Sequence, residues 1–392
     1  MTINLDELRE KISDTDAKLL SLLAERLRFT QQVAETKIAT HKDVRDPKRE
    51  EQLLVSLVKQ GSKLGLDPHY VTNIFHVIIE NSVLNQQALL AERANPEHSQ
   101  PLNRVAFLGN PGSYSYLATQ RYFARRPGEL HEMGFKTFKA VLEKVESNEA
   151  DYAVLPIENT TSGSINEVYD LLQHTSLSIV GEITQPVKHA LLTKNQKDIS
   201  NIKQVYGHPQ ALMQCRVFID SLDDVKKVPC DSTSAAMQLV SESERDDIAA
   251  IGSIEGGNFY NLNAIKQDLA NQQENHTRFI VVSRKAVKVP IQIPAKTTLV
   301  MSTIQKPGAL VDALIVLKDN QINMTKLESR PITGNPWEEM FYLDVEGNTS
   351  DGPMQQALED LKGITRYLKV LGCYPVEDIT HTKVPVFKAL SE

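Results

Sequence analysis

The chain has 392 residues, of which 41% are hydrophobic and 24% are charged, and its formal net charge is -7 at pH 7. This length suggests two to four globular domains, and an acidic chain of this composition does not favour a general nucleic-acid binder. No apolar run approaches the ~18 residues needed to cross a bilayer. The three cysteines, Cys215, Cys230 and Cys373, lack CxxC spacing, so neither a disulfide framework nor a zinc site is predicted.

The first hundred residues show helical periodicity. From Leu5 to Thr36, apolar residues recur at alternating steps of three and four with no Gly or Pro, which predicts one long helix. Arg26 lies on this apolar stripe, and Lys37 falls only ~20° away around a helix of 3.6 residues per turn. Because burying a lone guanidinium costs several kcal/mol, Arg26 should meet an anion. That anion is either a protein carboxylate or a ligand.

Two more helices are predicted downstream, each beginning with an Asp-Pro pair that supplies an N-cap and a first-turn proline. The first runs from Asp46 and is expected to end at Gly61. On the second, which starts at Asp67, Ser82 and Gln86 interrupt an otherwise apolar face. All three helices therefore place polar groups where apolar ones are expected. We predict an internal cationic pocket with the donors Arg26, Lys37, Arg49 and Gln86.

Arg9 has the same side chain but precedes Arg26 by 17 residues, or about 25 Å along a helix at 1.5 Å per residue. It cannot reach the same small ligand within one chain. Antiparallel pairing of two long helices would bring Arg9 of one subunit to the pocket of the other, so the pattern predicts an intertwined dimer with shared sites. The segments LREKIS, LLAER, VRD and ENSVLNQQ resemble the all-helical chorismate mutase domain, and the resemblance covers residues 5–93.

This resemblance implies the rearrangement of chorismate to prephenate. That reaction is unimolecular and needs a compact conformer and donors aimed at the breaking ether oxygen. By resemblance, Lys37 and Gln86 face that oxygen, while three arginines hold the two carboxylates. The mutase-site residues implied are Arg9, Arg26, Lys37, Asp46, Arg49, Glu50, Ser82 and Gln86.

Residues 94–103 contain two prolines and no apolar period, which marks a linker. Strand and helix patterns then alternate, which predicts parallel sheets covered on both sides and arranged as two lobes facing across a cleft. The first lobe would take 104–181 and a return near 264–284. The stretch 151–165 is predicted to be a buried strand that ends in a polar crevice. The alternative is that its second half, Thr160 to Ser164, only turns the chain and caps the next helix.

Five ordered motifs in this region resemble the prephenate dehydratase domain over residues 104–285. They are GSYS, PIEN, HPQ, STS and AAIGS, at 112–115, 156–159, 208–210, 232–234 and 249–253. The resemblance implies a two-lobed α/β fold like that of periplasmic binding proteins. It also implies that prephenate loses water and carbon dioxide to give phenylpyruvate.

Thr277 is, by resemblance, positioned at the departing ring hydroxyl of prephenate, and Glu158 is a conventional acid candidate. Arg278 would bind a substrate carboxylate, although from the residues alone a surface ion pair is an equal alternative. The implied dehydratase-site residues are Ser113, Asn159, Thr160, Ser162, Ser232, Thr277 and Arg278.

The last hundred residues follow a βαββαβ order, with strands predicted at 297–302, 324–328, 340–345 and 367–371 and helices at 308–319 and 354–363. Such a unit forms a ferredoxin-like α+β sandwich that pairs readily with a second copy. GALV after Pro307, and ESRP, resemble the binding motifs of the amino-acid-sensing ACT domain. From the residues alone, Glu328 to Arg330 is a solvated strand end. The L-phenylalanine site implied by the resemblance comprises Gly308, Ala309, Leu310, Glu328, Ser329, Arg330 and Pro331.

The whole chain resembles the bifunctional chorismate mutase/prephenate dehydratase family, with a mutase domain at 1–93, a linker at 94–103, a dehydratase domain at 104–285 and an ACT domain at 296–380. The resemblance implies chorismate and prephenate as substrates and feedback inhibition by L-phenylalanine. It also implies a homodimer or larger homo-oligomer in the cytoplasm, without metal, organic cofactor, nucleic acid or membrane. A non-catalytic amino-acid sensor is the alternative, and a DNA-binding regulator is a weaker one.

Overall fold

A computed structural model describes residues 4–40, 42–195, 198–272, 274–332, 338–377 and 382. The chain divides into two compact units. One contains the residues up to His98 and the segment 289–293, and the other contains 99–288 and 294–378. No helix in the described part of the chain has both the length and the apolar character that a membrane span requires.

The first unit is built from three helices, α1 (Leu5–Thr40), α2 (Pro47–Lys63) and α3 (Pro68–Ala94). Asp46 and Asp67 act as the N-caps of α2 and α3, and their carboxylates accept backbone hydrogen bonds from the first turns. The predicted three-helix order and both predicted caps are therefore confirmed.

Gly61 does not end α2, so that predicted boundary is wrong. The glycine lies where α2 and α3 approach each other closely. A Cβ at Gly61 would stand 2.7 Å from Cγ2 of Val71, which is nearer than real Cβ atoms come to other atoms. Gly61 therefore serves helix packing, and the helix continues for another two residues to Lys63.

Helix α1 exposes its apolar stripe in the single chain. Leu19, Leu22 and Phe29 are 53%, 60% and 56% exposed, whereas Thr30 and Ala34 are the residues of α1 that are buried. An exposed apolar row along a helix is typical of a surface that another protein covers.

The second unit contains the other α-helices and β-strands among the described residues. They are β1 (Leu102–Leu108), α4 (Tyr114–Phe123), β2 (Glu129–Phe135), α5 (Phe138–Glu146), β3 (Tyr152–Asn159), β4 (Gly163–Ser164), α6 (Asn166–His174), β5 (Ser178–Pro186), β6 (Ala190–Thr193), β7 (Gln204–Gly207), α7 (Pro209–Gln214), α8 (Arg216–Asp220), β8 (Lys226–Pro229), α9 (Thr233–Glu242), β9 (Ile248–Gly252), α10 (Ile254–Phe259), β10 (Asn263–Lys266), β11 (His276–Ser283), β12 (Ala295–Thr303), α11 (Ala309–Asp319), β13 (Met324–Pro331), β14 (Glu339–Glu346), α12 (Gly352–Ile364) and β15 (Thr365–Pro375). These strands form three sheets.

The first two sheets form the two predicted α/β lobes. Lobe one has the strand order β2-β1-β3-β11-β5, with β4 beside β3, and lobe two has the order β10-β6-β9-β7-β8. Neither sheet is wholly parallel as predicted, because β11 runs antiparallel to β3 and β5, and β6 runs antiparallel to β9 and β10. These antiparallel strands belong to the segments that carry the chain between the lobes.

The return to lobe one predicted near 264–284 is confirmed for β11 within that range, but it begins later than predicted. Strand β10 pairs antiparallel with β6, with Ala264 opposite Leu192, and it therefore belongs to lobe two. Strand β11 makes the return, and its apolar residues Phe279 to Val282 are buried in lobe one between β3 and β5.

The third sheet has the order β13-β14-β12-β15 with all neighbours antiparallel, and the predicted βαββαβ order is confirmed. Residues Leu299 and Leu343 on one face pack with those of α11 and α12. Residues Val300 and Tyr342 on the other face share a continuous core with lobe one, which includes Ile179. We refer to this part as the third domain, and its strands lie directly against lobe one.

Candidate active sites

In the first unit, Arg26 of α1 reaches across to α3. Its guanidinium donates hydrogen bonds to the hydroxyl of Ser82 and, at 3.5 Å, to the carbonyl of Ile78. Burial lowers the pKa of Arg26. Among the described residues these contacts are with neutral oxygens, so the interpretation that a protein carboxylate meets Arg26 gains no support.

Lys37 lies at the last turn of α1, and its ammonium donates a hydrogen bond to the carbonyl of Val44. Burial lowers the pKa of Lys37, and the carboxylates of Asp46, Glu50 and Asp43 oppose that effect. The lysine is thus a half-buried cation with acidic residues of the following segment nearby.

Gln86 lies one helical turn beyond Ser82 on α3 and donates from Nε2 to the carbonyl of Ser82 at 3.2 Å. Its other polar atom, Oε1, is buried and has no hydrogen-bond partner among the described residues. Since buried polar atoms are nearly always paired, this oxygen is typical of a site that receives a ligand.

Of the other predicted mutase residues, Glu50 is half-buried near Lys37, whereas Arg49 and Arg9 are exposed in the single chain. Glu50 pairs with Arg45 at 3.1 Å and accepts from the hydroxyl of Thr382 at 2.6 Å. Arg49 is exposed on α2. The side chain of Arg9 is 68% exposed and pairs with its neighbour Asp6, so a single chain does not bring Arg9 to Arg26.

In the second unit, a β-bulge decides which way the polar residues at the end of β3 point. Arg278 pairs with Glu158 and Phe279 pairs with Pro156, so Ile157 is one extra residue on β3. Because side chains alternate along a strand, one extra residue moves those beyond it to the opposite face. Asn159 therefore lies opposite Thr277.

Asn159 is buried and is the centre of the hydrogen bonds at this edge. Its Nδ2 donates to Oγ1 of Thr277 at 2.9 Å, to Oδ1 of Asn275 at 2.8 Å and to the carbonyl of His276 at 3.0 Å. Its Oδ1 accepts from the hydroxyls of Thr161 and Ser162 at 2.6 and 3.1 Å, and also from their backbone amides. One amide thus holds both the end of β11 and the polar run after β3.

The polar run after β3 does turn the chain, but it does not cap the next helix. Gly163 has φ of 77°, and β4 folds back to pair with β3. The N-cap of α6 is Ile165, which makes no side-chain capping hydrogen bond. Within the run, Oγ1 of Thr160 accepts from the backbone amide of His276 at 3.0 Å, so Thr160 also ties this loop to β11.

Hydrogen bonds from lobe two continue this arrangement. Gln214 donates to the hydroxyl of Thr161 at 2.6 Å, and its Oε1 lies 2.9 Å from Nε2 of His189. Nδ1 of His189 lies 3.1 Å from the hydroxyl of Tyr114 in lobe one. Burial lowers the pKa of His189, an effect that its contact with Gln214 opposes. The imidazole of His189 accordingly connects the two lobes.

A cleft of about 810 Å³ lies between the lobes, with walls from both. Helices α4 and α9 begin at this cleft, where Ser113 and Ser232 accept hydrogen bonds as their N-caps. Their first-turn amides and helix dipoles favour an anion. His208 also lines the cleft, and burial lowers its pKa while Asp231 opposes that effect. Predicted residues Ser113 and Ser232 are therefore brought to one cavity.

Lys136 lines the same cleft and supplies a cation, although no sequence pattern pointed to it. Lys136 follows β2, a strand that was not predicted because exposed or half-buried residues alternate along it. Gln214 was missed as well, since a polar residue at the end of a short helix carries no signal of its own. A glutamine five residues after His208-Pro209 becomes informative only once the lobes are placed together.

Arg278 and Glu158 lie on the face of lobe one that packs against the third domain. Arg278 pairs with Asp344 at 2.5 Å, with Glu182 at 3.2 Å and with Glu158 at 3.6 Å. Glu158 also pairs with Lys326 at 2.9 Å. The structure therefore does not bring these two predicted residues to the cleft that Ser113 and Ser232 line. The surface ion pair considered for Arg278 is also wrong, because its side chain is only 16% exposed.

The predicted effector motifs belong to different parts of the third domain. Gly308 is the N-cap of α11 with φ of 80°, a conformation that favours glycine, and Ala309 and Leu310 follow it. On β13, Glu328 accepts from the hydroxyl of Ser164 at 2.5 Å, and Arg330 pairs with Asp170 at 2.8 Å. The predicted solvated strand end is thus correct for Ser329 and Pro331, which are exposed, and wrong for Glu328 and Arg330, which contact lobe one.

Sequence models of two protein families match the chain, prephenate dehydratase at residues 105–287 and chorismate mutase type II at residues 8–87. A bifunctional chorismate mutase/prephenate dehydratase of Enterobacter agglomerans is 53% identical over 95% of this chain and 96% of its own length. The protein of the same description from Escherichia coli K12 is 51% identical with the same coverage. A prephenate dehydratase of Arthrobacter aurescens, solved in complex with L-Phe, has a TM-score of 0.64 and 29% identity, covering 71% of this chain and 92% of that one.

The helical unit and the two-lobed unit define an enzyme with two separate catalytic domains. The chain belongs to the bifunctional chorismate mutase/prephenate dehydratase family. The family predicted from the sequence motifs is therefore confirmed. The chain is both a chorismate mutase and a prephenate dehydratase. The alternative interpretation as a non-catalytic sensor is not favoured, because both enzymatic families match.

Proposed function

We propose that Thr277 donates a hydrogen bond to the departing ring hydroxyl of prephenate. The observation that carries this proposal is the direction of the bond between Asn159 and Thr277. An amide nitrogen can only donate, so Oγ1 of Thr277 accepts at 2.9 Å, and within the described residues its own proton is left for another oxygen. When the bond to the ring carboxylate breaks, carbon dioxide leaves and the electron pair of that bond stays in the ring. The ring hydroxyl is then expelled and takes up a proton, so it departs as water. The Thr277 hydroxyl assists that departure by orienting or relaying a proton.

The substrate carboxylates are bound, in this proposal, at the positive end of the cleft. Support comes from the N-termini of α4 and α9, capped by Ser113 and Ser232, and from the cation of Lys136. Asn159 bonds directly to Thr277 and Ser162. Thr160 is tied to the same place because its hydroxyl accepts from the backbone amide of His276 on β11. Glu158 is not part of this proposal, because its carboxylate is engaged by Lys326.

The mutase site is proposed to consist of Arg26, Lys37, Ser82 and Gln86, with Arg49 and with Arg9 contributed by a second subunit. Burial of Arg26, Lys37 and Gln86 supports this role, as does the unpaired Oε1 of Gln86. The exposed apolar row of α1 supports an antiparallel dimer as the source of Arg9. Asp46 and Glu50 lie near enough to influence Lys37. Donors held in this way would stabilise charge on the breaking ether oxygen.

The third domain is proposed to be a ferredoxin-like ACT domain that binds L-phenylalanine and inhibits the dehydratase. Its βαββαβ order and its strand order support the fold assignment. The prephenate dehydratase of Arthrobacter aurescens was solved with L-Phe, which supports the choice of effector. The turn at Gly308 offers backbone donors to a carboxylate, and the ESRP motif lies on β13 of the same sheet.

A chorismate time course with the full chain tests both activities, with prephenate and phenylpyruvate quantified by mass spectrometry. Lys37→Ala should abolish prephenate formation from chorismate while leaving the turnover of added prephenate unchanged. Thr277→Ala should do the reverse and let prephenate accumulate. Equal loss of both activities in either variant would contradict separate sites, and full dehydratase activity in Thr277→Ala would contradict the role of Thr277.

A further inference from the structure

One buried amide beside the dehydratase residues has a donor without a partner. Asn275 immediately precedes β11 and is only 2% exposed. Its Oδ1 accepts from Nδ2 of Asn159 at 2.8 Å, whereas its own Nδ2 is buried and makes no hydrogen bond to the described residues. Because buried polar atoms are nearly always paired, we expect an oxygen of a ligand to meet this donor.

The orientation of the Asn275 amide is fixed by its neighbour. Oδ1 of Asn159 accepts from the backbone amides of Thr161 and Ser162 at 3.0 and 3.1 Å, and a backbone N–H can only donate. Nδ2 is therefore the atom of Asn159 that faces Asn275. Exchanging the oxygen and nitrogen of Asn275 would set two donors against each other, so Nδ2 of Asn275 must point away from Asn159.

Asn275 lines a small cavity beside the loop that follows β3, and we call this cavity the amide pocket. Its volume is about 170 Å³, and the described residues of its wall are uncharged, among them Thr161, Ser162, Gln214 and Asn271. A wall of neutral polar groups suits a hydroxyl. A carboxylate would be better stabilised in the larger cleft, where Lys136 and two helix N-termini supply positive charge.

The neighbours of Thr277 leave one donor and one acceptor unpaired. Asn275 and Thr277 both accept from Nδ2 of Asn159, so their side chains lie on the same face of the chain. Gln185 on β5 is paired directly with Thr277, and its Oε1 is buried without a partner among the described residues. A hydroxyl group both accepts and donates, so it can satisfy Nδ2 of Asn275 and Oε1 of Gln185 together.

We propose that the amide pocket receives the ring hydroxyl of prephenate and that Asn275 is a further catalytic residue, whose Nδ2 donates to the oxygen of that hydroxyl. The proposal rests on the role given to Thr277 under the proposed function. Thr277 donates to the same oxygen, and Oε1 of Gln185 accepts the hydroxyl proton.

Asn275 acts, in this proposal, on the charge that develops as the hydroxyl leaves. When the bond between the ring carbon and the hydroxyl oxygen breaks, its electron pair goes to the oxygen, and the electron pair of the lost carboxylate stays in the ring. The amide of Asn275 stabilises the charge on that oxygen and transfers no proton. The proton that completes the water comes from solvent through the Thr277 hydroxyl.

Asn275→Leu tests the donor, because leucine has a similar size and no polar atom. Asn159 still has two acceptors for its two protons, the carbonyl of His276 and the hydroxyl of Thr277. Removing one donor from a developing charge typically costs about 10²–10³ in kcat. We therefore expect kcat with added prephenate to fall about 100-fold, and an unchanged kcat would overturn the proposal. Asn275→Asp, which keeps the bond from Asn159 and loses the donor, replaces this variant should it fail to fold.

Asn103→Leu is the matched control, measured with thermal unfolding of each sample. Asn103 is also a buried asparagine, but its Nδ2 donates to the carbonyl of Pro127 at 2.8 Å. This control should lower the melting temperature and leave the dehydratase kcat within about two-fold of the parent chain.

Two ring-saturated analogues of prephenate, one with and one without the ring hydroxyl, separate this proposal from the role of Thr277. Neither analogue can become aromatic, so calorimetry measures binding alone. In the parent chain the hydroxyl should strengthen binding about ten-fold or more, because the site is built to bind it. This advantage should shrink to about two-fold or less in Asn275→Leu and stay unchanged in Asn103→Leu.

The same measurement on Thr277→Ala distinguishes the outcomes. An advantage kept in Asn275→Leu but lost in Thr277→Ala would overturn this proposal and leave Thr277 in its role. The reverse result would contradict the role of Thr277 and leave Asn275 as a donor to the hydroxyl. An advantage that survives in both variants, or that is absent from the parent chain, would overturn both.

Discussion

Replacing Asn159 by Asp tests the direction of the hydrogen bond on which the dehydratase proposal depends. The change keeps the shape of the side chain and its Oδ1, which accepts from Thr161 and Ser162. It removes Nδ2, which donates to oxygens of Asn275, His276 and Thr277. An ionised carboxylate at this position can only accept, so the Thr277 hydroxyl would turn to donate to it.

The size of the effect follows from the donor that the reaction loses. Removing one oriented donor from a developing charge costs about 10²–10³ in kcat, or about 3–4 kcal/mol in the barrier. We expect Asn159→Asp to lose this much dehydratase turnover at neutral pH. Burial raises the pKa of the introduced carboxyl group, whereas the donors of Thr161 and Ser162 to Oδ1 lower it, and once protonated the acid can donate to Thr277. The activity of the variant relative to the parent chain should therefore rise as pH falls.

The assay follows phenylpyruvate formation from added prephenate between pH 5 and 8, with mutase turnover measured on the same sample. Asn103→Asp is the matched control, since Asn103 is also buried in lobe one and donates to the carbonyl of Pro127 at 2.8 Å. That control should lose stability but keep its kcat, because Asn103 lies at the start of β1. Turnover within three-fold of the parent in Asn159→Asp at neutral pH would refute the reasoning.

Four further predictions follow from the described contacts. Lys136→Gln should raise the KM for prephenate about ten-fold with little change in kcat, because the cleft loses a cation that binds ground state and transition state alike; steady-state kinetics measure this. Leu19→Glu should dissociate the proposed dimer and remove mutase activity, which sedimentation and chorismate consumption report together. Glu328→Ala should weaken L-phenylalanine binding in calorimetry without lowering unliganded activity, whereas Asp360→Ala on α12 should leave binding unchanged. Gly372→Ala should lower the free energy of unfolding by about 1–3 kcal/mol, since its Cβ would stand 2.1 Å from the carbonyl oxygen of Ile179.

Much of the first unit could be predicted because its signals are local. An Asp-Pro pair caps the helix that it begins, and a helix of 3.6 residues per turn fixes which residues share a face. The same repeat places Ser82 and Gln86 on one face of α3, and the polar interruptions of the apolar faces of α1 and α3 indicated that Arg26 joins them. Gly61 was misjudged because its reason lies on another helix, where Val71 leaves no room for a Cβ.

In the second unit, the order of strands and helices along the chain could be predicted, but the pairing of the strands could not. The alternating pattern gave two lobes, whereas the return strand and the partner of β10 depend on pairings between distant segments. The same limitation explains Arg278, whose partner Asp344 is 66 residues away in another domain. One signal was present, because Asp344 follows Met340 and Tyr342 at steps of two and so shares their buried face. A buried acid on an apolar face requires a partner, and Arg278 is that partner.

Pro156 gives a physical reason for the bulge in β3 at the proposed dehydratase site. Strand β3 lies between β1 and β11, a central position in which proline is rare because it has no amide hydrogen for the ladder. The extra residue Ile157 follows directly, and beyond it the side chains of β3 change face. Without that shift Asn159 would point to the third domain and Glu158 to Thr277, so a carboxylate would take the place of the amide donor. The consecutive pairs Glu158-Asn159 and Thr277-Arg278 therefore match each other, since Asn159 bonds to Thr277 on one face while Glu158 and Arg278 pair on the face that meets the third domain.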